Sequence, residues 1–135
     1  MSANDWNREV IDEFRANAGK VAQFEGRSLL LLHHKGAKTG TERVNPLVYQ
    51  PIGDAFAVFG SKAGAPTNPD WYHNLRANPD TVVEVGTETI LVRARVAEGE
   101  ERDTIWEEQK RANPNFADYE QLTTRPIPVV ILERV

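Results

Sequence analysis

A small antiparallel β-barrel with helices packed outside it is the fold class this sequence predicts: α+β, about six strands, one domain over residues 1–135. Three observations predict it. Short apolar or alternating runs outnumber helical stretches. Two pairs of these runs are joined by tight turns, Gly53-Asp54 and Gly86-Thr87. No succession of βαβ units appears, which disfavours a doubly wound parallel sheet. A chain of 135 residues can bury one real core and is too short for two.

The elements follow in order. Over 4–19, Trp6, Val10, Phe14 and Ala18 recur every fourth residue with Ile11 beside them, the period of an amphipathic helix. Asn4 or Asp5 is placed to cap its start and Gly19 its end. Between 5 and 15, Asp5, Glu9, Asp12 and Glu13 outnumber Arg8 and Arg15, so anionic lipid would repel this helix and core packing is its expected role. Residues 27–34 hold four leucines in a row and read as a strand buried on both faces. Residues 44–52 form a second strand, in which Pro46 and Pro51 predict an edge or an irregular stretch. Residues 55–60 close a hairpin with it. A loop, SKAGAPTNP, leads into a short helix from 70 to about 77, stopped before Asn78-Pro79. Strands at 81–85 and 89–96 alternate well. A helix over 100–112 is anchored by Ile105 and Trp106, a shorter one surrounds 116–122, and 127–132 is the last strand.

Composition removes several functions. The chain has no cysteine, hence no disulfide scaffold, thiolate metal site or cysteine nucleophile. A formal charge of −4 argues against nucleic acid as a partner. The three serines, Ser2, Ser28 and Ser61, form no G-x-S-x-G elbow. His33 and His34 are strand neighbours facing opposite ways, and with His73 the only other histidine no metal site is expected. The N-terminus lacks the apolar core of a secretory signal, and no run is long enough to span a membrane. A soluble cytoplasmic protein is the expectation.

The chemistry concentrates in two turns. HHKGAKTGTERVNPLVY, residues 33–49, places Lys35, Lys38 and Arg43 around Gly36 and Gly40. A Walker loop needs Gly-Lys-Thr running into a helix; here Lys38-Thr39 precede Gly40, and Pro46 biases Asn45 away from helix. Glycines of this kind let backbone N–H groups approach an anion, and Arg43 can grip a phosphate or carboxylate with two hydrogen bonds. A solvated hairpin turn fits the same residues equally well. The second stretch, GSKAGAPTNPDWYHNL, repeats the recipe at another strand end with Ser61, Lys62 and Gly64. Two such turns can converge on one elongated anionic ligand. Trp71 and Tyr72 also read as packing of the short helix, a role favoured for Trp71.

GAKTGTERVNPLVY, SKAGAPTNPDWYHNLRANP and RPIPVVILERV together resemble the deazaflavin-dependent nitroreductase family of actinobacteria, F420H2-dependent quinone and nitro reductases, from about Leu29 onward. The resemblance implies a split β-barrel of the FMN-binding type. It also implies coenzyme F420, a 5-deazaflavin bearing a phosphate and an oligoglutamate tail, and hydride transfer to a quinone, nitroaromatic or activated alkene. Carried over by position, Lys38, Thr39, Gly40 and Arg43 would contact the phosphate and tail. Pro46 and Leu47 would line the ring, and Ser61, Lys62, Ala63 and Gly64 would meet the ring and its side chain. Asn68, Trp71 and Tyr72 complete the implied cofactor set. Ala63 stands where a glycine is usual, which is tolerable unless its φ must be positive. Ser61 and Tyr119 are the implied catalytic residues, while Val48, Asn113 and Phe116 stand where some members have tyrosine. The acceptor set is therefore expected to differ. An FMN-dependent oxidoreductase of the same fold and a non-catalytic F420 store are the competing readings. A monomer or small homodimer fits both, and membrane contact is expected only for a lipid quinone acceptor.

Overall fold

A computed structural model describes the backbone of residues 3–135, and the side chains of all of these except 3, 4 and 63. Helix α1 (Ala3–Ala16) leads into strands β1 (Leu29–Lys35), β2 (Glu42–Ile52) and β3 (Ala55–Phe59). Helix α2 (Asp70–Ala77) precedes β4 (Asp80–Val85) and β5 (Glu88–Val96). Helices α3 (Gly99–Ala112) and α4 (Asn115–Gln121) come before β6 (Val129–Arg134). The strands close into an antiparallel barrel in the order β1-β2-β3-β6-β5-β4, with β4 pairing back onto β1.

Period-two alternation explains where each strand's residues go. Leu30 and Leu32 of β1, Phe56 and Val58 of β3, and Val130 and Leu132 of β6 fill the barrel, joined by Trp71 and Leu75 of α2. Their neighbours point outward and are covered. Leu29 and Leu31 lie under Val10 and Phe14 of α1. Ala57, Phe59, Val129 and Ile131 lie under Ile105, Trp106 and Phe116 of α3 and α4. Two-sided cover is why these strands read as continuous apolar runs.

The hairpins sit where they were expected. Gly53 (φ 58) and Gly86 (φ 59) take the left-handed backbone that two-residue turns require. The edge expected at β2 is local, with β2 still a continuous member of the closed barrel. Its residues 42–48 pair with β1 and 49–52 with β3, so each half of β2 is paired on one side and open on the other even though the strands close into a barrel. Pro46 and Pro51 are tolerated because each falls where β2 is paired on one side alone, so a missing N–H breaks no second ladder.

Helix α1 differs from the sequence expectation in its stripe. Val10 and Phe14 are buried, whereas Trp6 remains 38% exposed and Ala18 is exposed beyond the helix end at φ 55. The alternative cap Asn4 lies outside the described side chains. Among the described residues, no helix is long and apolar enough to cross a membrane and no cluster could hold a metal ion.

Candidate functional site

A cleft of about 1100 Å³ opens between β2, the loop after β3, α4 and α1. Its floor is the middle of β2, where Val44 to Val48 are paired to β1 on one side and free on the other. Pro46 is buried and Leu47 and Val48 are half-buried, giving an apolar strip suited to a flat ring.

Of the residues singled out from the sequence, Arg43, Pro46, Leu47, Ser61, Lys62, Trp71 and Tyr119 line this one cleft. The two turns therefore do meet, through Arg43 from the first and Ser61-Lys62 from the second. Lys38, Thr39 and Gly40 are exposed at the tip of the β1–β2 hairpin and do not line it. The glycine donors of that tip are consumed locally: Gly36 N–H donates to Thr41 O and Gly40 N–H to Gly36 O, each at 2.9 Å. Tyr72 also lies off the cleft, packed on the barrel core with Arg76 over its ring.

The second turn is built with unusual backbone. Gly60 donates to Pro128 O at 2.9 Å, and a Cβ at Gly60 would meet Pro128 at 2.7 Å. Lys62 is left-handed at φ 46, strain of a kind that accumulates at ligand clamps. Gly64 (φ 81) presses so close to α4 that a Cβ would stand 2.7 Å from Leu122. The Ala63 side chain is outside the described set. Ser61 is buried and makes no side-chain cap to the turn it opens, so its hydroxyl is available to a ligand.

Polar residues that sequence reasoning passed over hold these pieces together. His34 is 2% exposed; its Nδ1 accepts from Asn74 Nδ2 at 2.9 Å and its Nε2 donates to Asn45 Oδ1 at 2.6 Å. Asn74 Oδ1 in turn accepts from the Ala37 N–H at 2.9 Å, tying the first turn to α2. Burial is the main reason the His34 pKa lies below its ordinary value, with nearby Arg43 adding to the effect, so the imidazole is neutral. Arg125 holds the second turn: its guanidinium donates to Gly60 O, Ser61 O, Ala65 O and Asn68 Oδ1 at 2.7 to 3.1 Å. Asn68 thus acts behind the cleft. On α4, Asn115 Nδ2 donates to the Tyr119 hydroxyl at 3.2 Å, and Asn115 Oδ1 is a buried acceptor at the cleft wall without a partner among the described residues. A usable signal did exist for Asn74: it shares an i, i+3, i+4 face with Trp71 and Leu75, a polar residue at a core position.

A family model described as F420H(2)-dependent quinone reductase matches residues 6–134. The F420H(2)-dependent quinone reductase Rv1261c of Mycobacterium tuberculosis is 43% identical over 108 residues, covering 78% of this chain and 72% of that protein. A solved F420-H2 dependent reductase (FDR-A) is 39% identical with a TM-score of 0.72, covering 79% of this chain and 95% of that one. A structure described as a domain-swapped dimer is 36% identical with a TM-score of 0.74, covering 98% and 100% of the two chains. The heme storage protein HutZ of Vibrio cholerae, at 15% identity and a TM-score of 0.58 over 96% and 90%, shares the fold alone.

Proposed function

Because the chain belongs to the F420H(2)-dependent quinone reductase family, we propose that it reduces a quinone by hydride transfer in the cleft over β2. The enzyme is an F420-dependent reductase, and coenzyme F420 is its cofactor. The observation that carries the placement is the convergence of Arg43 and Ser61-Lys62, from two separate turns, on one cleft with an apolar floor.

The residues present fit that group. The exposed cations Arg43 and Lys62 stand at the lip, where phosphate and carboxylates can be held while still partly hydrated. Arg43 is only loosely engaged, 3.8 Å from Asp70, and is free to turn to a ligand. Pro46 and Leu47 give a ring a dry surface, and the orphaned Asn115 Oδ1 is a buried acceptor awaiting a donor.

Bound F420 supplies two electrons as a hydride, and reduction of a quinone to a quinol then needs a proton as well. The chain's task is to hold the acceptor at hydride-transfer range, about 3 to 3.5 Å, and to keep water out. Ser61 donates a hydrogen bond to the acceptor oxygen, polarising it. Tyr119 accepts from Asn115, which leaves its own O–H to donate the proton, with solvent restoring it. Phe116, packed edge-on against Tyr119 with centroids 5.5 Å apart, fixes the phenol's position. Nitroaromatics and activated alkenes are further acceptors on this reading, with Val48 and Phe116 leaving an apolar acceptor side.

Mixing the protein with reduced F420 and a panel of quinones, nitroaromatics and enones tests this, with FMN in parallel. Reoxidation by a quinone, followed by absorbance, is the expected result. Turnover with FMN and none with F420 would overturn it.

A further inference from the structure

Arg125 is a charged side chain without a charged partner. Its four acceptors are three backbone carbonyls and one side-chain amide, all neutral, and among the described residues no carboxylate pairs with it. The guanidinium is half-buried, and burial alone holds its pKa below the ordinary arginine value. A cation that loses hydration and gains no counter-charge is a poor choice for a plain loop clip. A neutral donor could satisfy carbonyls at less cost.

The position of those carbonyls gives the cost a purpose. Gly60, Ser61 and Ala65 turn their oxygens back toward Arg125, so the segment between them presents its other side, with Ser61 and Lys62, to the cleft. Asn68 extends the grip to the far end of the loop. Lys62 is kept in a left-handed backbone that an unrestrained lysine would leave. We propose that Arg125 is a positioning residue for the anionic cofactor: its fork sets the Ser61-Lys62 turn in ligand-ready form, and its uncancelled charge makes that turn attractive to an anion. The inference rests on the reading that F420 occupies this cleft.

Titrating Arg125→Gln, Arg125→Lys and Arg43→Ala with F420 at low and high salt tests it, alongside melting curves without cofactor. Arg125→Gln is expected to lose tenfold or more in affinity and to flatten the salt dependence, since screened attraction is part of what it removes. Arg125→Lys restores the salt dependence but only part of the affinity, because an ammonium carries the charge without the planar fork. Wild-type affinity in a folded Arg125→Gln, with only its melting temperature lowered, makes Arg125 a structural clip and overturns the inference. If Arg43→Ala loses affinity in that same series, the cleft reading survives and the Arg125 role alone fails. If neither variant loses affinity, the cleft reading falls and takes this inference with it. Should Arg125→Gln not fold, Arg125→Lys decides: a three- to tenfold loss supports the fork, and unchanged affinity overturns it.

Discussion

Arg43 and Lys38 looked alike in the sequence and are separated by the structure. Arg43 faces the cleft from a strand; Lys38 sits at an exposed hairpin tip whose donors are already used. Arg43→Ala is therefore expected to weaken F420 binding by about 1.5 to 3 kcal/mol, the scale of a charged hydrogen bond, and Lys38→Ala by less. Parallel fluorescence titrations check the order; equal losses would put the hairpin tip on the ligand. His34 gives a pH prediction. Its folded pKa is lowered, so as pH falls below about 6.5 the unfolded chain takes up a proton that the folded chain resists. Stability is thus level above that pH and declines below it. Burial dominates, Arg43 and His33 push the same way, and the hydrogen bond to Asn45, with Asp70 behind it, opposes them. Urea midpoints from pH 7.5 to 5.5 should fall in the wild type and fall less in His34→Gln.

At the scale of elements, the critical contact is between the second turn and α4. Gly64 is both left-handed and pressed on Leu122 and on the backbone oxygen of Tyr119. Gly64→Ala is expected to cost roughly 1 to 3 kcal/mol, from strained backbone and collision together, read as a lowered urea midpoint. Because α4 also carries Asn115 and Tyr119, the same change should shift the acceptor side of the cleft and raise KM for the quinone. Gly53→Ala, at a turn where an added Cβ meets nothing, would incur the backbone strain alone. Helix α1 is held to the barrel at its other end by Arg15, which pairs with Glu84 at 2.7 Å, while His33 reaches the same carboxylate. This pairing lies beside the cleft and is half-exposed, so it orients the helix more than it stabilises the fold.

For the whole molecule, stability rests on burying both faces of the strands. Leu31 is fully buried between β1 and α1, and Leu31→Ala should destabilise by about 2 to 5 kcal/mol by leaving a cavity. Equilibrium unfolding measures it; a loss under 1 kcal/mol would mean that α1 does not seal that face. The closed barrel also explains why the cleft is a rigid platform. β2 is locked by β1 along one half and by β3 along the other, and the stretch facing the ligand is the part left unpaired on one edge.

Much of this protein is legible in its sequence. Hydrophobic periodicity and Gly-centred turns reveal local preference, so the six strands, the two-residue hairpins and α2 and α3 were readable to within a few residues. The motifs around Arg43 and Ser61 likewise identified the family. What the chain alone could not show was pairing across distance. Pro46 and Pro51 predict an edge or irregular stretch in β2, but a single strand does not disclose which of its sides is paired at each proline. His34, Asn74 and Arg125 looked like ordinary polar residues until folding brought Ala37 to Asn74 and Gly60 to Arg125. Their roles depend on desolvation and on partners 37 and 65 residues away, and neither quantity exists until the barrel has closed.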